Sequence, residues 1–529
     1  MRRWNGWGDD TLDYPLTETA LGFLAGRIGH STPTRDAKLE QVLGSVAAPR
    51  LDDAGLDTGA ETRVRHARGQ SFPDWLALRT GRVGPVPDAV ARPESHADVV
   101  RLLKLAKQRG AIVIPYGGGT SVVGHLNVPS GDRPVLSLDL GRMNRLMTLD
   151  PVSRLARFGA GVAGPELEAQ LRAQGYVLGH FPQSFEYSTL GGWVVTRSSG
   201  QQSLRYGRIE NLFAGGRLVT PAGEFEIPTI PASSAGPDLR EWVMGSEGRF
   251  GVLTEAVVRV TPLAECEGFH AVFFPDWDAG CSAVRELAQA RLPLSMLRLS
   301  NAVETETQLA LAGHANLIAW LQRYLGLRGV ASGQCMLLIG ITGDARLYRY
   351  ARRSALAITA RHKGVHVGRF IGKGWSKNRF RGPYLRNTLW QAGYGADTIE
   401  TAVDWPKVTA LMQAMEKAAH EAFAEANERV HAFTHLSHVY PQGSSIYSTF
   451  VFRACPDPDE MMERWRKLKT RVSEQIVAHG GTISHQHGVG VDHAPYLPAE
   501  KTGMGLGAVR TVANYFDPDG MMNPGKLFG

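Results

Sequence analysis

The stretch IPYGGGTSVVGH, residues 114–125, gives up three side chains in succession directly after a short β-branched run. Glycine loses the most backbone freedom on ordering, so three together mark a place where backbone must come close to something. Two readings follow. One is a tight turn between strands. The other is a phosphate cradle, in which adjacent N–H groups converge on an anion and Thr120 and Ser121 add donors. A dinucleotide-binding turn does not fit, because such a turn must open a helix whose N-terminus meets the pyrophosphate. Here VVGHLNVPSGDRP puts a proline and a turn signal where that helix would run. No lysine follows the glycines, so a Walker loop does not fit either.

The flanking chain reads as α+β with short strands. ADVVRLLKLAKQRG is an amphipathic helix ending near Gly110, followed by the strand that delivers the glycines. Strand and turn signals continue at 135–140, 155–162, 218–228 and 251–263, with a short helix opened by proline at 165–176. Residues 1–80 read as mixed and largely helical, broken by Gly and Asp. Strands are expected at 335–343 and 443–455, and a helix at 457–479. The segment 345–363 is a basic amphipathic helix, either a solvated face or a contact for acidic lipid.

At 529 residues, two or three domains are expected. A net charge of +7 without any long Lys/Arg run argues against nucleic acid and suits an anionic substrate or a membrane surface. The four cysteines, Cys266, Cys281, Cys335 and Cys455, form no CxxC pair, so a cysteine zinc site and a disulfide framework are both unexpected, and a reducing cytoplasm fits. MRRWNGWGDD has no apolar core of a secretory signal, and no run of about 18 apolar residues is present. Peripheral attachment to the inner face of a membrane stays open.

Four further clusters act jointly with the glycine loop: PQSFEYSTLGGWVVTRSSGQQSLRYGRIENL (182–212), GSEGRFGVLTEAVVRVTP (245–262), SHQHGVG (484–490) and MNPGKL (522–527). Their Gly, Ser and Thr density lets backbone N–H groups and small hydroxyls face a polar cofactor closely. Together with PYGGGTSV they resemble the flavin-binding domain of the vanillyl-alcohol oxidase superfamily. RRWNGWGDD, PDAVARPESHADVVRLL, EYSTLGGWVVTRSSG, DTIETAVDW (397–405) and SHQHGVG narrow the resemblance to the alkyl-dihydroxyacetonephosphate synthase family, over the whole chain.

The fold this resemblance implies is α+β, with a two-subdomain PCMH-type FAD-binding domain and an α+β cap domain built on an antiparallel sheet. The divisions expected are an N-terminal segment 1–80, the FAD domain 81–265, the substrate or cap domain 266–480 and a C-terminal segment 481–529 returning to the active site. FAD contacts are implied at Pro115, Tyr116, Gly117, Gly118, Gly119, Thr120 and Ser121. A second group is Gln183, Ser184, Phe185, Glu186, Tyr187, Ser188 and Thr189, and a third is Thr196, Arg197, Ser198 and Ser199. A fourth is Glu247, Gly248, Arg249, Phe250, Gly251, Val252 and Leu253. The superfamily sometimes tethers FAD through a histidine in the glycine loop; Thr120 stands there, so non-covalent FAD is implied and His125 is read as structural.

The family reaction exchanges the acyl group of acyl-dihydroxyacetone phosphate for a long-chain alcohol without net redox change. The resemblance implies that the flavin N5 carries the substrate carbon while carboxylate leaves and alkoxide adds. It further implies a homodimer, Arg386 of PYLRNTLW on the substrate and Tyr447 of SSIYST exchanging a proton, with His485 and His487 beside it. A guanidinium fork suits phosphate bidentately. A phenol needs nearby positive charge to act near neutrality. The family loop often carries three consecutive histidines, whereas here it is His485–Gln486–His487, and glutamine cannot titrate. The alternative reading is an FAD-dependent D-2-hydroxyacid dehydrogenase of the D-lactate type, which shares the flavin domain and the NPGKL ending. HLSHVYPQGSSIY lacks the acid of the HxGDGNLH pattern of those enzymes and ends in tyrosine. No metal is expected in the synthase reading; in the alternative, His435 and His438 are the candidate ligands.

Overall fold

The computed structural model describes residues 1–313 and 315–528. The helix His96–Gln108 starts where Ser95 accepts from the Asp98 amide and Asp98 answers on the Ser95 amide. Its apolar stripe, Val99, Leu102, Leu103 and Ala106, is buried against a three-stranded parallel sheet in the order Ala89–Ala91, Val135–Asp139, Ile112–Tyr116. The strand Ile112–Tyr116 ends directly on the three glycines. A five-stranded antiparallel sheet follows, in the order Leu146–Asp150, Leu155–Gly159, Val252–Arg259, Phe213–Thr220, Gly223–Ile227. It packs over a core around Phe158, Trp193 and Phe213.

The second half is built on a seven-stranded antiparallel sheet. Its spatial order is Val365–His366, Cys266–Phe274, Cys335–Gly343, Met296–Ser300, Val430–Leu436, Gly443–Arg453, Tyr394–Asp404. Strand side chains alternate between faces. Ile399, Val403, Leu436, Ile446 and Phe450 go to one face, under the helices Trp277–Gln289, Trp405–Ala424 and Pro458–Ala478. The residues between them, including Thr398, Glu400, His435 and Tyr447, go to the other, toward the glycine loop. The fold is thus the α+β, two-domain flavin-binding type with an antiparallel cap sheet.

One sequence expectation is corrected. Residues 1–80 hold only the helices Glu18–Ile28, Leu39–Leu43, Ala60–Arg65 and Phe72–Thr80 among extended stretches. That segment is tied down by distant partners: Trp7 N–H donates to Asn387 Oδ1 at 3.1 Å and Thr34 Oγ1 to the Trp390 carbonyl at 2.9 Å. The C-terminal segment 481–529 contains a helix, Leu497–Phe516, that carries three glycines and is kinked at a left-handed Thr502 (φ 59°).

Candidate active site

A cavity of about 830 Å³ lies between the glycine loop and the open face of the seven-stranded sheet. All of Pro115 to Ser121 line it, with Gln183, Ser184, Ser188, Thr189, Thr196, Ser198, Ser199, Glu247, Gly248, Gly251 and Leu253. Other residues of the same motifs face away. Phe185 stacks on Phe380 at 4.8 Å, and Tyr187 packs edge-on to Trp7 at 5.6 Å. Glu186 is off the cavity wall, and Val252 lies in the core of its strand. Arg197 pairs with Glu241, Arg249 donates to the Met522 carbonyl, and Phe250 packs 6.0 Å from Phe516. A turn or strand presents only part of its side chains to one side.

The glycines are required by packing. A Cβ on Gly117 would collide with Thr189 Oγ1 and one on Gly118 with the Tyr187 carbonyl. Gly119 has φ +66°. The loop therefore sits backbone to backbone on 187–189, with Thr120 and Ser121 at the cavity. Behind it, Ser121 Oγ lies 2.7 Å from His125 Nδ1, and His125 Nε2 lies 2.8 Å from Glu247 Oε2. Glu247 also accepts from the Val489 and Gly490 amides at 2.5 and 2.7 Å. Asn523 Nδ2 reaches the Glu247 carbonyl at 2.9 Å. The SHQHGVG and MNPGKL stretches thus brace the loop, and His125 is one of the braces. A cavity lined by closely approached backbone, small hydroxyls and amide side chains fits the pyrophosphate and ring system of FAD.

On the sheet side, Tyr447 stands in register with Glu400 on one neighbouring strand and His435 on the other. The His435 ring stacks on Tyr447 at 4.8 Å and 18°. Arg298 Nη2 is 2.6 Å from Glu304 Oε1 and 3.0 Å from His435 Nδ1, which is itself 3.0 Å from Glu304 Oε1. Burial opposes ionisation of Glu304, yet Arg298 and His435 hold its carboxyl at about 2. Arg386 lines the cavity, its guanidinium 4.3 Å over Trp75 and donating to the Gln70 carbonyl at 2.7 Å; burial brings it down to about 10. Burial raises the Tyr447 hydroxyl above the ordinary phenol range, with the Arg386 charge opposing.

Gln486 and His487 line the cavity, whereas His485 lies behind it against Glu400. Glu400 is fully buried and is surrounded by His485 Nδ1 at 3.2 Å, His438 Nε2 and His487 Nε2 at 3.9 Å, and the Gln486 amide, which donates at 2.5 Å. Burial disfavours its charge, but the imidazoles hold it well below the usual carboxylate range. Glu400, His438 and His485 bring three ligand-type atoms within 4.8 Å of one another. The donor set does not fit a metal: Arg208 Nη1 donates to His485 Nε2 at 2.8 Å, and a guanidinium can only donate, so Nδ1 carries the ring proton and offers no lone pair. His435 and His438, the ligands of the dehydrogenase reading, are engaged separately, His435 by Arg298 and Glu304 and His438 Nδ1 by Ser199 Oγ at 3.0 Å.

Sequence reasoning missed Glu400, Arg298, Glu304 and Arg208. The signal available for Glu400 was the alternation of DTIETAVD, which puts Thr398 and Glu400 on the face opposite Ile399 and Val403.

Comparison with known proteins agrees with this architecture. Residues 87–227 match the family described as FAD binding domain, and 265–527 match FAD linked oxidases, C-terminal domain. The alkyldihydroxyacetonephosphate synthase of Dictyostelium discoideum is 32% identical over 88% of this chain and 77% of its own length. That of Trypanosoma brucei brucei is 31% identical over 93% and 80%. A solved alkyldihydroxyacetonephosphate synthase structure, 27% identical, superposes with a TM-score of 0.85, covering 99% of this chain and 98% of that one. With cofactor-loop geometry, cap sheet and sequence in agreement along almost its full length, the chain belongs to the alkyldihydroxyacetonephosphate synthase family and is an FAD-dependent enzyme of that type.

Proposed function

We propose that the protein exchanges the fatty acyl group of acyl-dihydroxyacetone phosphate for a long-chain alcohol, giving alkyl-dihydroxyacetone phosphate and a fatty acid. The observation that carries this reading is that Arg386, Tyr447 and His487 open into the same cavity as the glycine loop. FAD held there supplies the electrophile. The Arg386 fork holds the substrate phosphate, its stack on Trp75 keeping the guanidinium plane fixed. Tyr447 takes the proton from the substrate C1; a phenol raised by burial is a strong base once its own proton is handed on, and His487 is the imidazole whose ring stands edge-on to it at 6.1 Å.

An apolar wall of Leu16, Ala20, Phe23, Leu24, Leu311, Leu389 and Phe433 gives the chain of the acyl group or alcohol a place to lie. Beyond Leu311 the helix Ala315–Leu327 exposes Leu317, Trp320 and Leu327, which supports delivery of both lipids from a membrane surface. Among the described residues, no helix is long and apolar enough to cross a membrane.

The test is product analysis with acyl-dihydroxyacetone phosphate and hexadecanol, run beside dye reduction by D-lactate. Ether product with release of free fatty acid is expected. Sustained dye reduction without ether product would replace this reading with the dehydrogenase one.

A further inference from the structure

We propose that Arg379 is a second anion-binding residue of the cavity, and that its ligand is the carboxylate of the acyl group that leaves the substrate. The inference rests on the synthase reading for the identity of that anion, and on geometry alone for the free guanidinium edge.

The exchange produces two anionic groups where the substrate carries one. The bond between the substrate C1 and the ester oxygen breaks, the oxygen keeps the electron pair, and the acyl group departs as a carboxylate. The alcohol loses its proton and supplies the pair of the new C1–O bond. Arg386 is assigned to the phosphate, which stays with the product at the other end of the three-carbon unit. A carboxylate released among apolar side chains needs a cation of its own, because an unpaired charge is strongly disfavoured away from water.

The guanidiniums of Arg298, Arg379, Arg381 and Arg386 line the cavity, and they differ in what they already hold. Arg298 is paired with Glu304 at 2.6 Å. Arg381 is exposed and lies 4.7 Å over the Tyr14 ring. Arg379 is part-buried and gives Nη1 to Gln202 Oε1 at 3.3 Å. Among the described residues its Nε and Nη2 donate to no protein atom, and both remain accessible. Gln202 is fixed in turn, because its Nε2 donates to Glu267 Oε1 at 2.8 Å and a carboxylate can only accept. Glu267 and Glu168 favour the ionised guanidinium, yet neither forms an ion pair with it among the described residues. Glu267 is engaged by Gln202 and Thr342, and Glu168 by the Leu178 and Gly179 amides.

The surroundings select a carboxylate with an apolar tail. The guanidinium carbon lies 4.4 Å from the Phe181 ring centre and 4.9 Å from that of Phe380, which holds the plane and presents the Nε–Nη2 edge as a fixed fork. Two N–H groups on one edge match the two oxygens of a carboxylate. The phenyl faces on either side offer no donor to a third oxygen, so this fork suits a carboxylate better than a phosphate dianion. Trp375, one helical turn before Arg379, also lines the cavity, as does Met296. The two share an apolar cluster with Phe269, whose ring is 5.1 Å from that of Trp375. The fatty chain behind the carboxylate therefore has an apolar surface to lie on.

The test uses the full-length, FAD-loaded protein and two soluble probes, decanoate for the carboxylate and dihydroxyacetone phosphate for the phosphate. Binding of each to the resting enzyme is read by calorimetry. Arg379→Gln should weaken decanoate by about tenfold or more and change dihydroxyacetone phosphate by less than about twofold. Arg386→Lys should do the reverse. Arg379→Lys, which keeps the charge without the fork, should fall between wild type and Arg379→Gln for decanoate. In ether-forming turnover Arg379→Gln should lower kcat at little-changed KM for acyl-dihydroxyacetone phosphate, since the carboxylate exists only once the ester bond is breaking. The proposal is overturned if wild type binds no decanoate, or if Arg379→Gln binds it as tightly as wild type. It is overturned too if dihydroxyacetone phosphate is the probe that weakens, or if both Arg379 variants lose FAD, which would make the residue structural. Should the wild type form no ether while decanoate binding still depends on Arg379, the synthase reading fails by itself and the carboxylate site stands.

Discussion

The phenol of Tyr447 is sandwiched in register between two strands, and its ring lies parallel to that of His435 at 4.8 Å and 18°. This stack, backed by the Arg298–Glu304 pair, fixes where the hydroxyl points. Tyr447→Phe keeps the stacked ring and removes only the oxygen. FAD content and substrate binding should persist while turnover falls about 10²–10⁴-fold. Ether formation and hydrogen exchange at C1 under saturating substrate measure this, and near-normal turnover would show that the proton goes elsewhere.

Arg386→Lys retains the charge but removes the planar fork, the stack on Trp75 and the bond to the Gln70 carbonyl. KM for acyl-dihydroxyacetone phosphate should rise by roughly tenfold, with a smaller change in kcat. An unchanged KM would assign phosphate binding to another residue; Arg298, Arg379 and Arg381 also line the cavity.

Purified protein should be yellow and release all its flavin on denaturation, because Thr120 stands where a tethering histidine would and His125 is held by Ser121 and Glu247. Flavin left on the precipitate would contradict this. Gly118→Ala should already abolish flavin binding or soluble expression, since the first side-chain atom meets the Tyr187 carbonyl. A yellow, active Gly118→Ala protein would refute the packing account of the triple glycine.

Two buried histidines set an acid limit to stability. Burial holds His180 at about 3 and His431 at about 4, against 6.5 in an open chain. The unfolded state therefore binds protons first. The contribution of these groups is fully present above about pH 6.5 and is lost as pH falls from there toward 4, at up to ~1.4 kcal/mol per pH unit for each. Urea midpoints with excess FAD at pH 7.5, 6 and 5 should fall in that order, and His431→Gln should flatten the slope. Equal midpoints at the three pH values would rule the mechanism out.

The site treats 2-hydroxyacids as poor substrates on this account, because Tyr447 stands in the strand motif and the Glu400–His438–His485 group carries a proton where a metal would need a lone pair. Neither D-lactate nor D-2-hydroxyglutarate should bleach the flavin in stopped-flow absorbance. Rapid bleaching by either would count directly against it.

Local physics made much of this protein legible in its sequence. Three consecutive glycines after a strand admit few uses, and the strands 335–343 and 443–453 announce themselves through β-branched and aromatic runs bounded by turns. Arg386, Tyr447 and the SHQHGVG loop stand out through the resemblance of PYLRNTLW, SSIYST and SHQHGVG to the family's motifs, since none of the three is diagnostic by itself. What those residues touch was decided by tertiary structure. Glu400 meets His485 across more than eighty residues, and Arg208 meets it across 277, because antiparallel pairing and a returning C-terminal segment converge there. No local pattern encodes such a meeting. The same holds for the glycines: the sequence shows that backbone must come close to something, and only the packed loop shows that the nearest thing is the carbonyl of Tyr187. Proton position follows the same division, since a histidine's tautomer is set by whichever donor the fold brings to its other nitrogen.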